Sequence, residues 1–141
     1  MMLILEDDAD DFFLMERAVR RAGVNLPLVR LTNGAQAIEY VRGEGIYSDR
    51  KKYPFPVVIV ADLKMPGYNG LDFVRWLRRD SDRKSTPVII VSSSTIPKDV
   101  EEAYALGANW FIEKPIDPAN YDAFARAFRD WLTIIRLPEG R

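Results

Sequence analysis

Neither cysteine nor histidine occurs anywhere in these 141 residues. The first absence removes disulfides and thiol redox chemistry, and the two together remove Cys/His zinc sites. Without histidine there is also no imidazole for a proton shuttle or a Ser-His-Asp triad. Charge of one sign is equally scarce in excess. Twenty basic residues against 21 acidic ones leave −1 at neutral pH, so no global field favours nucleic acid or an anionic membrane. No apolar run approaches the ~20 residues that cross a bilayer. The opening MMLILEDD meets carboxylates too early to read as a signal peptide, and a cytoplasmic protein is expected. Chemistry must therefore come from carboxylates, hydroxyls, lysines and backbone groups.

What is present reads as an ordinary globular chain, 48% hydrophobic and 29% charged, long enough for one domain over 1–141. Short apolar runs alternate with amphipathic ones. Strands are expected at Met2–Leu5, Leu26–Leu31, Val57–Ala61, Pro87–Ser92 and Asn109–Glu113. Helices are expected at 9–22, Gly34–Arg42, Gly70–Arg79, Pro97–Leu106 and roughly 118–135. In the first helix Phe12, Met15, Val19 and Ala22 recur at helical spacing, and in the last Tyr121, Phe124, Phe128, Trp131 and Ile135 do so. Five β–α repeats with nearly continuous apolar strands imply an α/β fold, a parallel sheet covered on both faces. One connection, Gly43 to Pro56, is long, and loops of that length are more often functional or disordered than incidental.

In such open sheets ligands bind at the carboxyl ends of the strands. Those ends carry Glu6-Asp7-Asp8, Asp62, Ser92 and Lys114, while the second strand ends in Thr32-Asn33. If strands one, three, four and five are neighbours, carboxylates, a hydroxyl and a lysine converge. The oxygens suit a hard cation such as Mg2+, and the lysine and hydroxyl suit a phosphoryl group. Each residue also has a plainer reading. Acidic residues before a helix cap it, a strand-ending Asp forms turns, and Ser92 or Phe111 alone belongs to a core. Asp8, Asp10 and Asp11 are assigned to capping or solvent. RWLRR with Lys84 is read as a solvated helix face rather than a nucleic-acid patch. Co-occurrence at four strand ends favours the site.

The same segments carry a resemblance. LILEDD, ADLKMPGYNG, PVIIVSSS and GANWFIEKP, in this order and spacing, resemble the receiver domain of two-component response regulators from Leu3 to about Trp131. The resemblance implies the flavodoxin-like (βα)5 fold with strand order 2-1-3-4-5, a fold for which the chemotaxis receiver is a standard example. It implies phosphorylation of Asp62 by a sensor histidine kinase. It further implies Mg2+ held by Glu6, Asp7, Asp62 and the Lys64 backbone carbonyl. Ser92 and Lys114 then correspond to the phosphate-contacting residues, Ser93 to a small neighbour that leaves room, and Ser92 with Phe111 to a switch pair. Pro115 corresponds to a position where the family usually has a cis peptide. Such a protein is a signalling phospho-acceptor and not an enzyme acting on a separate substrate.

The long loop and the W…LP tail resemble a narrower group, stand-alone regulators paired with phytochrome-type histidine kinases. Trp131, Leu132, Ile134 and Ile135 place apolar groups on several faces of an extended C-terminal helix and tail at about 131–141. A homodimer is therefore expected. With no effector domain following, output would run through protein contacts or onward phosphotransfer, without nucleic acid or membrane. Two departures stand out. Lys64 puts a long cation near the site, and Asn69 replaces a common aspartate in the next turn. The rivals are a pseudo-receiver that keeps the fold without phosphorylation, and a flavodoxin-like or phosphatase-like enzyme. The latter needs a Gly-rich phosphate loop or a second aspartate two residues past Asp62, where EDDADD and Lys64 stand instead.

Overall fold

Each apolar run becomes a strand: β1 (Met2–Leu5), β2 (Leu28–Leu31), β3 (Val58–Ala61), β4 (Val88–Ser92) and β5 (Trp110–Glu113). The computed structural model describes residues 1–138, so 139–141 of the expected tail lie outside the described residues. The strands are all parallel and ordered β2-β1-β3-β4-β5, as expected. Between and after them run α1 (Ala9–Arg21), α2 (Gly34–Arg42), α3 (Gly70–Arg79), α4 (Pro97–Leu106) and α5 (Tyr121–Ile134). The differences from expectation fall at element ends. Residues Pro118–Asn120 form a separate 3-10 turn before α5, and β2 starts after Pro27, whose carbonyl accepts from Met2 N–H at 2.8 Å.

Period-2 alternation along the strands builds two layers of core. Leu3, Leu5, Ile59, Ala61, Val88 and Ile90 point to the side covered by Tyr40 of α2, Phe73 and Leu77 of α3 and Ala103 of α4. Their neighbours Met2, Ile4, Val58, Val60, Ile89 and Val91 point to Met15 and Val19 of α1 and Phe124 and Phe128 of α5. Because both faces are covered, strands β1, β3 and β4 show no polar alternation at all. That leaves only the strand ends free to carry polar groups.

Helix starts are fixed by short polar side chains. Asp8 caps α1, accepting from the N–H groups of Asp10 and Asp11. Asn69 caps α3 and forms a reciprocal box with Asp72, which explains why Asn suits this turn as well as Asp does. Gly70 answers a different constraint. A Cβ there would sit well inside contact distance of the Asp62 carbonyl oxygen and backbone carbon. The α3 terminus therefore packs directly onto the backbone of Asp62, holding that residue from behind.

The Gly43–Pro56 connection is an ordered buttress. It contains a 3-10 turn at Gly45–Ser48, and Tyr47 and Tyr53 pack with Tyr40 at ring separations of 5.0–6.1 Å. Arg50 donates to the carbonyls of Tyr40 (2.7 Å) and Val41 (2.6 Å), closing the open end of α2, and stacks over Phe55. At the C-terminus Trp131 packs edge-on to Trp110 at 4.8 Å and against Phe128 at 5.8 Å. Trp131 thus belongs largely to the core, whereas Ile134 is 82% exposed.

Gly70→Ala forces the α3 terminus away from Asp62. Urea denaturation is expected to show a loss of about 1–3 kcal/mol with an unchanged m-value, as overpacking generally costs. A variant as stable as the parent would contradict the close approach.

Candidate functional site

Register places the polar strand ends side by side. Leu5 pairs with Ala61, and the residue just after β3, Asp62, donates its N–H to the Leu5 carbonyl at 2.9 Å. Glu6 and Asp62 thereby emerge from adjacent strands at the same height. On the other side Ser92 pairs with Glu113, and the following Lys114 N–H donates to the Ser92 carbonyl at 2.7 Å. Strand β4 separates β3 from β5, so Lys114 needs its full side-chain length to reach the acidic side. It does reach: Nζ lies 2.8 Å from Asp62 Oδ2 and 2.6 Å from Glu6 Oε1.

Glu6, Asp7 and Asp62 form the expected acidic group, with one carboxylate oxygen from each lying within 4.8 Å of the others. Glu6 and Asp62 are buried and Asp7 is exposed. Glu6 Oε2 is buried without a hydrogen-bond partner, an acceptor facing an unmet need inside the cluster. An all-oxygen donor set with an unsatisfied carboxylate fits a hard divalent cation. The Lys64 backbone turns over the same carboxylate, its N–H donating to Asp62 Oδ1 at 3.0 Å. Its exposed side chain borders an open groove also lined by Asp7, Asn69 and Asp99.

Ser92 is fully buried at the end of β4. Its Oγ accepts from Ser94 N–H at 3.2 Å, leaving its own O–H to donate. Ser93 beside it is exposed. Phe111, half-buried on the edge strand, packs against the α2–α4 side of the core, and its N–H donates to Tyr104 Oη at 3.0 Å. The Lys114–Pro115 peptide corrects an expectation: it is trans, there being no cis peptide among the described residues. The trans form is intrinsically favoured by about 0.5–1 kcal/mol, and Lys114 reaches both carboxylates with it, so placing the ammonium requires no cis bond.

Two residues escaped sequence reasoning. Asp11, assigned to capping or solvent, instead places Oδ2 2.8 Å from Lys114 Nζ as a third carboxylate on the ammonium. Its position in the first turn of a helix that follows an acidic strand end was the available signal. Arg30 of β2 donates from Nε to the Glu6 carbonyl (2.9 Å) and from a terminal nitrogen to the Asp7 carbonyl (3.0 Å). It clamps the backbone of the acidic turn while lying over the Phe12 ring. A lone arginine inside an apolar strand was its only trace in the sequence.

The electrostatics follow from burial. Burial pushes the Glu6 carboxyl up to about 7, and Asp62 alongside adds to this, against the opposing hydrogen bond from Lys114. For Lys114, burial disfavours the charge, but the hydrogen bonds to Asp11, Asp62 and Glu6 outweigh it and hold its pKa above the ordinary lysine value. A lysine so held stays protonated throughout the physiological range.

The Glu6 shift has a definite sign for stability. Below its ordinary value of 4.5 both folded and unfolded chains hold the proton, and the contribution of neutral Glu6 is fully present. Between 4.5 and about 7 that contribution is lost, because the native state must accept a buried charge. In chelator, stability is therefore expected to fall across this window through Glu6. Glu6→Gln should flatten the fall and gain on the order of 1–3 kcal/mol at pH 8. Denaturation series at several pH values check this, and parallel curves for the two proteins would refute it.

The comparisons with known proteins agree with this geometry. The family model for the response regulator receiver domain matches residues 2–125. Response regulator Rcp1 of Synechocystis is 24% identical over 139 residues, covering 98% of this chain and 92% of Rcp1. RPA3017, a response regulator in red light signaling of R. palustris, superposes with a TM-score of 0.91 at 31% identity, over 98% of this chain and 97% of that one. The phosphorylated cyanobacterial phytochrome response regulator RcpA gives 0.89 at 26% identity, over the same shares of 98% and 97%. Receiver domains of this kind are phosphorylated on aspartate in two-component signalling, bind Mg2+ at an acidic pocket and interact with histidine kinases. With the family's strand order and its model matched over most of the length, this chain belongs to the response regulator receiver domain family.

Proposed function

We propose that this chain is a stand-alone, single-domain response regulator that accepts a phosphoryl group on Asp62. The observation that carries the reading is the buried Asp62 carboxylate at the head of β3, paired to Lys114 at 2.8 Å and grouped with Glu6 and Asp7. An Asp62 oxygen attacks phosphorus, a P–O bond forms, and the P–N bond to the kinase's phosphohistidine breaks with departure of the imidazole. Phosphoryl transfer needs little covalent help beyond alignment and neutralisation of charge on the moving oxygens. Lys114 supplies a permanent positive charge on one side. Glu6, Asp7, Asp62 and the Lys64 carbonyl would hold Mg2+ on the other, and the metal supplies further positive charge to those oxygens. The protein catalyses only its own phosphorylation and dephosphorylation, so we do not class it as an enzyme with a separate substrate.

Output would follow from redistribution of hydrogen bonds. The free Ser92 O–H donates to the new phosphoryl oxygens, and Phe111 turns into the space that this movement opens, reshaping the surface around α4 and β5. The Phe111 N–H bond to the Tyr104 hydroxyl ties the two elements that such a change would move. The side chain of Lys64, free beside the groove, is placed to affect access of the attacking water and so the lifetime of the phosphorylated state.

Similarity to RcpA, RPA3017 and Rcp1 supports a phytochrome-type histidine kinase as partner. The reading includes a cytoplasmic location and no nucleic-acid or membrane partner. No helix among the described residues is long and apolar enough to cross a membrane. The exposed Ile134 beside Trp131 supports a homodimer through the C-terminal helix.

Incubation with Mg2+ and acetyl phosphate should add one phosphoryl group to the intact mass, and Asp62→Asn should abolish the gain. A gain that survives the substitution, or no gain in the parent, sinks the assignment and leaves a pseudo-receiver. Separately, Ile134→Asp is expected to convert a dimer to a monomer by light scattering without loss of helix signal. A parent protein that scatters as a monomer would refute the dimer.

A further inference from the structure

Lys114 Nζ lies at ion-pair distance from three carboxylates: Glu6 at 2.6 Å, Asp11 at 2.8 Å and Asp62 at 2.8 Å. Two of these partners have other obligations. Glu6 and Asp62 belong to the acidic group that fits a cation, and Asp62 is the phospho-acceptor of the proposed function. Asp11 lies outside that group. It sits in the first turn of α1, its own N–H held by Asp8 at 3.1 Å, at a helix end where the dipole favours negative charge. Its backbone is therefore pinned independently of whatever the cluster binds.

A buried polar group of α5 also feels the charges of this pair. Tyr121, the first residue of α5, is 2% exposed, and its hydroxyl is buried with no partner. Burial raises its pKa to about 12, and Asp11 is the charge that acts most strongly on it, ahead of Lys114, Glu6 and Asp62. An apolar residue would fill this core position at lower cost. A phenol instead leaves a buried hydroxyl without a partner.

Resting on the phospho-acceptor reading above, we infer that Asp11 is a positioning residue that anchors Lys114. When the cation and phosphoryl group engage Glu6 and Asp62, two of the three contacts of the ammonium are exchanged at once. The Asp11 contact persists and keeps Nζ aimed across β4 at the transferring oxygens. Without it a flexible four-carbon stem must be ordered during the transfer itself, which lowers the maximal rate without altering how the phosphodonor is held. Asp11 acts through Lys114 and touches no reacting atom.

The test separates the anchor from the phospho-acceptor reading. In metal-free protein with no phosphodonor, limited acylation followed by peptide mass spectrometry reads the accessibility of Lys114, with Lys84 and Lys98 as internal references. Asp11→Asn should raise Lys114 labelling about two- to fivefold, the range expected for loss of one partly exposed ion pair. Asp11→Glu, which keeps the charge, should label close to the parent rate. With saturating Mg2+ and acetyl phosphate, Asp11→Asn should lower the maximal phosphorylation rate by a similar factor. The half-saturating acetyl phosphate and the Mg2+ affinity, read by titration calorimetry, should hold, and Asp11→Glu should restore the rate. Labelling of Asp11→Asn at the parent rate overturns the inference, as does an undiminished maximal rate despite faster labelling. A parent protein that takes up no phosphoryl group defeats the phospho-acceptor reading alone, since the labelling comparison still decides whether Asp11 anchors Lys114.

Discussion

One ammonium, Lys114 Nζ, compensates three carboxylates at the mouth of a parallel sheet. Much of the surrounding construction serves that convergence. Like charges so close, with Glu6 and Asp62 almost removed from water, repel one another and lose hydration. They coexist because a cation is brought to them from two strands away. The residual excess of negative charge and the unpartnered Glu6 oxygen are what make the pocket receptive to a further cation. Binding capacity here is a consequence of incomplete compensation.

Holding such a group in place requires rigidity from below and behind. The three central strands are buried on both faces, so Glu6, Asp62 and Ser92 leave the sheet at fixed heights. Gly70 lets α3 press onto the Asp62 backbone, and Arg30 grips the carbonyls of Glu6 and Asp7. The ordered Gly43–Pro56 segment, tied by Arg50 to the end of α2, braces the α2–α3 side of the sheet. The residue proposed to switch lies at the other edge. Phe111 is half-buried on the edge strand β5, linked to α4 through a single hydroxyl. A rigid pocket beside a half-buried edge residue is a sound arrangement for converting a local change of charge into a change of surface.

Much of this was legible in the linear chain. The alternation of apolar runs and amphipathic helices predicted five strands and five helices, with errors of one to three residues at their ends. Glu6, Asp62, Ser92 and Lys114 were identifiable because polar residues ending apolar strands have few other places to go. Asp11 and Arg30 were not, for a shared reason. Each contributes through a contact between elements distant in sequence, Asp11 with Lys114 and Arg30 with the backbone of residues 6 and 7. The order of the long loop has the same origin, since it comes from Arg50 finding the carbonyls of Tyr40 and Val41.

Local physics, then, was enough to determine the elements, the layering and the chemical character of the strand ends, because periodicity and side-chain type are properties of short windows. The tertiary structure alone decided which charges meet. Strand order and register set Lys114 across β4 from Asp62, helix packing brought Asp11 onto the same ammonium, and a trans bond before Pro115 sufficed to place it. Charge pairing here depends on distances of a few ångströms between residues 52 to 108 positions apart. Only the folded chain specifies those distances.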